Sequence, residues 1–121
     1  MIYLIDDDLS ICRSFGLLFK SAGYESRTQV SAREFLLSYK PADSDLIILD
    51  INLPDISGCE LLEEFMKQGI HPSVIIVTAF DEPKARECCK EYGVIAYLRK
   101  PVDGEALIDI INYNLNNNVV S

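Results

Sequence analysis

Four short apolar runs punctuate the chain: IYLI (2–5), LIIL (46–49), SVIIVT (73–78) and IAYLR (95–99). Within them apolar residues follow one another without polar alternation, the pattern of strands buried on both faces, as in a parallel sheet. A fifth and weaker stretch, YESRTQ (24–29), is polar enough to be an edge strand. Between the runs the apolar spacing changes to that of helices. Ile11, Phe15, Leu18, Phe19 and Ala22 share one helical face, and Gly23 is a natural stop. Ser31 with Glu34, and Ser57 with Glu60, have the spacing of a capping box. Val30 with Phe35, and Ile56 with Leu61, stand where a hydrophobic staple would. Asp81 or Glu82 before Pro83 reads as a fourth helix start. That helix has a thin apolar stripe of Ala85, Cys88, Cys89 and Tyr92, which predicts loose packing, and Gly93 ends it. Asp103 caps a last helix with Leu107, Ile110, Ile111 and Leu115 inward.

Strands and helices thus alternate five times within one domain. Alternation of this kind predicts an α/β fold with a single doubly wound sheet and right-handed crossovers. The length, 121 residues, suits one core. The domain is expected over residues 1–115, and the polar residues 116–121 as a tail or the start of a linker.

Charge narrows the function. Nineteen acidic residues against 11 basic give a net charge of −8. That balance argues against a nucleic-acid surface, which needs Lys and Arg to neutralise phosphates, and fits cations or basic partners. The start MIYLIDDD lacks the basic and long apolar parts of a signal peptide, and the apolar runs are far too short to span a bilayer. A cytoplasmic protein without membrane contact is expected. Cys12, Cys59, Cys88 and Cys89 form no CxxC pair and no zinc-like spacing with His71, the one histidine. They read as reduced thiols. His71, beside Pro72, reads as a loop residue and not as part of a catalytic triad.

The chemistry gathers at the strand ends. Ligands of doubly wound sheets sit outside the carboxyl ends of the strands. There stand Asp6, Asp7 and Asp8 after the first run, Asp50 after the second, Thr78 after the third and Lys100 after the fourth. Taken singly, each has an ordinary reading. Asp8, for example, suits the N-terminus of the following helix. Together they recur at one edge, beside the chain reversal between the first and third strands. Asp6, Asp7 and Asp50 offer the all-oxygen site that a hard divalent cation requires, Mg²⁺ above all. With a hydroxyl from Thr78 and an ammonium from Lys100, the set suits phosphoryl transfer, which depends on positioning and charge neutralisation. A carboxylate can itself accept the group.

The pieces LIDDD, LIILDINLPDISG, VIIVTAF and AYLRKP resemble, in order and spacing, the receiver domain of two-component response regulators. The likeness spans essentially the whole chain. It implies a (βα)5 flavodoxin-like fold with strand order 2-1-3-4-5. It makes Asp50 the phosphoacceptor. Mg²⁺ would be held by Asp7, Asp50 and the backbone carbonyl of Asn52, with Asp6 acting mainly through water. Thr78 and Lys100 would contact the phosphoryl group, Pro101 would follow a cis peptide bond, and Tyr97 would be the switch aromatic. Ala79 leaves the site open. The implied partner is a sensor histidine kinase or a phosphotransfer protein. The implied activity is limited to the domain's own phosphorylation and dephosphorylation, with self-association or docking at the face of the fourth helix, fifth strand and fifth helix. Nothing reads as a helix-turn-helix. Two rivals differ in class. A haloacid-dehalogenase-type phosphatase also uses a strand-end Asp, but it needs a second acid where Asn52 stands. A pseudo-receiver that only docks partners would lack part of a set that is complete here.

Overall fold

The computed structural model describes residues 1–42 and 44–119, with side chains through Leu115. Its elements alternate along the chain: β1 (Ile2–Ile5), α1 (Leu9–Ser21), β2 (Ser26–Gln29), α2 (Ala32–Ser38), β3 (Leu46–Asp50), α3 (Gly58–Lys67), β4 (Ser73–Thr78), α4 (Pro83–Tyr92), β5 (Ala96–Arg99) and α5 (Gly104–Val119). The strands form one parallel sheet in the order β2-β1-β3-β4-β5. β1 and β3 pair as Ile5 with Leu49, and β3 and β4 as Asp50 with Val77, so the carboxyl ends of the three central strands finish level.

Each central strand divides its side chains between two cores, because successive residues of a strand point to opposite faces. Ile5, Ile47, Leu49, Val74 and Ile76 pack with Phe35 of α2, Leu61 and Phe65 of α3, and Cys89 and Tyr92 of α4. Ile2, Leu4, Leu46, Ile48, Ile75 and Val77 pack with Cys12 and Phe19 of α1 and Leu107 and Ile111 of α5. Both faces are therefore apolar, which explains the unbroken apolar runs.

Local signals set the element ends. Ser31 and Ser57 cap α2 and α3 through their hydroxyls, which accept from the Glu34 and Glu60 amides. The Asp103 carboxylate accepts from the Glu105 amide at the start of α5. Gly93 ends α4 at φ +86°, a left-handed conformation that costs glycine little.

Four expectations change. Ala22 lies just outside α1 and is exposed, while Cys12 joins the buried face. Glu82, not Asp81, holds the N-cap position of α4 and makes no side-chain cap bond, while the Asp81 carboxylate is engaged by Arg86. The expected polar tail from residue 116 is helical in its backbone as far as Val119, and residues 120 and 121 lie outside the described part. The fourth change concerns the thiols. Cys59 and Cys88 are joined in a disulfide between α3 and α4, with Cα atoms 5.9 Å apart, while Cys12 and Cys89 are free and buried. Spacing along the chain could not reveal this pair, because its neighbourhood exists only once α3 and α4 lie side by side. The thin stripe of α4 therefore has a covalent tie to its neighbour.

Candidate functional site

The carboxyl edge of the sheet carries Asp6 just past β1, Asp50 as the last residue of β3, Thr78 as the last of β4 and Lys100 just past β5. Parallel pairing with level ends turns four distant positions into one cluster. Lys100 Nζ lies 3.0 Å from Asp6 Oδ2 and 3.0 Å from Asp50 Oδ2, bridging the two acids. The Lys100–Pro101 peptide is cis. The remaining carboxylate oxygens are held by the backbone: Asp6 Oδ1 accepts from the Asp8 amide at 2.9 Å, and Asp50 Oδ1 from the Asn52 amide at 3.0 Å. Asp6 and Thr78 are fully buried and Asp50 is 5% exposed, so the acids sit at the floor of the site while Asp7 stands at its exposed rim.

Carboxylate oxygens of Asp6, Asp7 and Asp50 lie within 4.8 Å of one another. Three carboxylates face one ammonium, a formal excess of two negative charges. Burial raises the Asp6 carboxyl above its ordinary value despite the Asp8 amide and the Lys100 ammonium, which favour its ionised form. Burial also disfavours the Lys100 ammonium, but its hydrogen bonds to Asp6 and Asp50 outweigh that, and its titration moves up. A small all-oxygen cluster with surplus negative charge and an open rim fits a hydrated divalent cation, which binds through few carboxylates and keeps several waters.

Thr78 is already engaged. Its hydroxyl donates to the Phe80 carbonyl at 2.6 Å and accepts from the Phe80 amide and from Asn52 Nδ2, each at 3.1 Å. Tyr97 is half-buried, with its hydroxyl 3.5 Å from Asp81 Oδ1 and the Arg86 guanidinium 4.9 Å above its ring. Arg86 itself grips both oxygens of Asp81.

The structure separates the three adjacent acids. Asp6 is paired with Lys100, Asp7 joins the open cluster, and Asp8 caps α1 by accepting from the Ser10 and Ile11 amides at 2.8 and 3.3 Å. His71 is exposed before β4, at the far end of the sheet, where it stacks on Tyr92. Sequence reasoning missed three contributors. The Asn52 side chain reaches Thr78. Cys12 lies beneath the site, its thiol donating to the Asp6 carbonyl at 3.2 Å. Asp55 caps α2 from the loop after β3, accepting from Ser31 Oγ at 2.8 Å and the Arg33 amide at 2.9 Å. The helical register placed Cys12 one position from the apolar stripe, a usable signal. The other two depend on loop geometry, for which the sequence offers none.

Comparison with known proteins identifies the family. The family model described as the response regulator receiver domain matches residues 2–112. Among curated relatives, the transcriptional regulatory protein FixJ of Azorhizobium caulinodans is 36% identical over 94% of this chain and 54% of its own length. Nodulation protein W of Bradyrhizobium diazoefficiens is 31% identical over 92% of this chain and 49% of its own. The chain thus spans about half the length of these relatives. The crystal structure of a CheY-like receiver domain protein from Methanospirillum hungatei superposes with a TM-score of 0.87 at 31% identity, covering 97% of this chain and 94% of that one. A family match over nearly the whole chain, together with close superposition on a solved receiver domain, places this protein among the response regulator receiver domains, the signalling switches of two-component systems.

Proposed function

We propose that this receiver accepts a phosphoryl group on Asp50 from the phosphohistidine of a sensor histidine kinase or phosphotransfer protein. The observation that carries the reading is the bridge from Lys100 Nζ to Asp6 and Asp50 at the edge of an open acidic cluster. A carboxylate oxygen of Asp50 forms the new bond to phosphorus as the phosphorus–nitrogen bond of the donor breaks, and the imidazole leaves with the electron pair. Lys100 stays within reach of the incoming oxygens and holds its proton, since its titration is raised. Asp6, Asp7, Asp50 and the Asn52 carbonyl are the groups that would hold Mg²⁺, which supplies neutralisation of the phosphoryl charge.

Thr78 carries the event away from the site. Its proton is committed to the Phe80 carbonyl, so hydrogen-bonding a phosphoryl oxygen means releasing that carbonyl and loosening the loop before α4. Tyr97, beside that loop, is then free to take a new position, and the face of α4, β5 and α5 changes for self-association or a partner. The names of the longer relatives, transcriptional regulators, suggest that such a face controls an output unit, in the cytoplasm where kinase and regulator meet. The receiver unit itself covers residues 1–115.

Asp50→Asn tests the acceptor. Acetyl phosphate with Mg²⁺ should add one phosphoryl group to the wild-type chain and none to the variant, read by intact-protein mass spectrometry. Equal labelling of the two chains removes Asp50 from its role.

A further inference from the structure

The structure assigns a second modification site, outside the acidic cluster: the Cys59–Cys88 pair, a reversible disulfide that ties α4 to α3 and sets how far α4 can move. The regulatory half of this assignment rests on the phosphorylation reading above. The site itself does not.

Three observations carry it. The pair joins two helices that each follow a functional strand end, Cys59 nine residues after Asp50 and Cys88 ten after Thr78. With the bond closed, the loop after β3 and the loop after β4 are linked covalently through the first turn of α3 and the middle of α4. Cys59 and Cys88 are half-buried, whereas Cys12 and Cys89 are buried. Burial pushes the Cys89 thiol up to about 11, so at neutral pH it is an inert neighbour. Lastly, Arg86 lies two residues before Cys88 in the same helix, α4, where it holds Asp81 and covers Tyr97. A bond at Cys88 therefore restrains the part of α4 that holds Tyr97 in its present place.

The chemistry is thiol–disulfide exchange with a dithiol reductant. A thiolate of the dithiol attacks one sulfur of the pair and forms a mixed disulfide, and the other sulfur leaves as thiolate. The second thiol of the reductant then attacks the mixed disulfide, closing its own ring disulfide and freeing the second cysteine. Two electrons and two protons pass to the protein. A small disulfide such as oxidised glutathione reverses the sequence and takes them back.

Two measurements test this. In the first, the native chain is alkylated with and without prior dithiothreitol and mapped by peptide mass spectrometry. Cys59 and Cys88 should label only after reduction and be protected again by oxidised glutathione. Free labelling after that oxidation overturns the site. In the second, amide hydrogen exchange is followed in oxidised and reduced protein, each with and without beryllofluoride, a phosphoryl mimic, plus Mg²⁺. Without beryllofluoride, α4 amides should exchange about tenfold faster in the reduced chain, by local opening that the bond opposes. With it, α4 should respond in the reduced chain but not in the oxidised one, while the loops at Asp50 and Lys100 respond in both. Equal α4 behaviour in both redox forms overturns the restraint. If no segment responds to beryllofluoride in either form, the phosphorylation reading fails, and alkylation and the fluoride-free exchange still decide the redox site. Cys59→Ser should behave as the reduced chain under all conditions. Should that variant fail to fold, chemical reduction of the wild type gives the same comparison.

Discussion

Asp6, Asp7 and Asp8 show how much a single position decides. Their side chains are chemically alike, but the turn from β1 into α1 gives each a different neighbour: an ammonium, the open cluster, and the first amides of a helix. Asp7→Ala should therefore weaken Mg²⁺ binding more than Asp6→Ala, since Asp6 is already compensated by Lys100. Asp8→Ala should leave Mg²⁺ binding almost unchanged and instead lower stability by about 1 kcal/mol, the usual cost of losing a cap. Metal titration and urea unfolding on the same three variants separate the two effects. The order of roles would be wrong if Asp8→Ala gave the largest loss of metal. The residue types and strand-end placement made the cluster legible in the sequence. Within the triplet, residue chemistry alone singled out only Asp8, whose position before a helix already suggested a cap, and the division between Asp6 and Asp7 came from the resemblance to the receiver family.

Elements were read from periodicity, and the reading worked where burial was one-sided or complete. β3 and β4, buried along nearly their whole length, announced themselves as apolar runs, while β2 (Ser26–Gln29) is a polar edge and carried only a faint signal. What periodicity cannot see is how closely two backbones approach. At Gly58, the first residue of α3, an added Cβ would lie 2.8 Å from the Ile51 Cα and 2.7 Å from its Cδ1. The Gly58 amide also donates to the Ile51 carbonyl at 2.9 Å. The glycine lets α3 start hard against the loop that follows Asp50. Gly58→Ala should cost about 1–3 kcal/mol through backbone displacement, read as a lower urea midpoint. An unchanged midpoint would mean that the loop yields freely. The same blindness to spatial approach hid the Cys59–Cys88 bond and the reach of Asn52 to Thr78.

For the whole molecule, stability links to pH through contacts that join separate parts of the chain. Asp55, in the loop before α3, caps α2. Burial alone would raise its carboxyl, but hydrogen bonds from the Arg33 amide and Ser31 hydroxyl overcome that and hold it at about 2, below the ordinary 3.8. A folded value below the unfolded one means the contribution is complete above about pH 4 and is lost as pH falls toward 2. The stability gap between wild type and Asp55→Asn should therefore be open near pH 6 and narrow steadily through that window. A gap independent of pH would detach Asp55 from acid unfolding.

The sheet also settles what the chain does not become. Leu46–Leu49 and Val74–Val77 are wholly buried and uncharged, the composition of segments that stack into fibrils once exposed. Asp45 and Asp50 flank the first of them as charged gatekeepers. The strands left at the two margins are only four residues long, one of them polar and each bearing an arginine. Such margins offer a passing strand little to extend. In the finished sheet β2 pairs with β1 and β5 with β4, so the long apolar strands keep no open hydrogen-bonding edge, and the two margins a foreign strand would meet are the short, arginine-bearing ones.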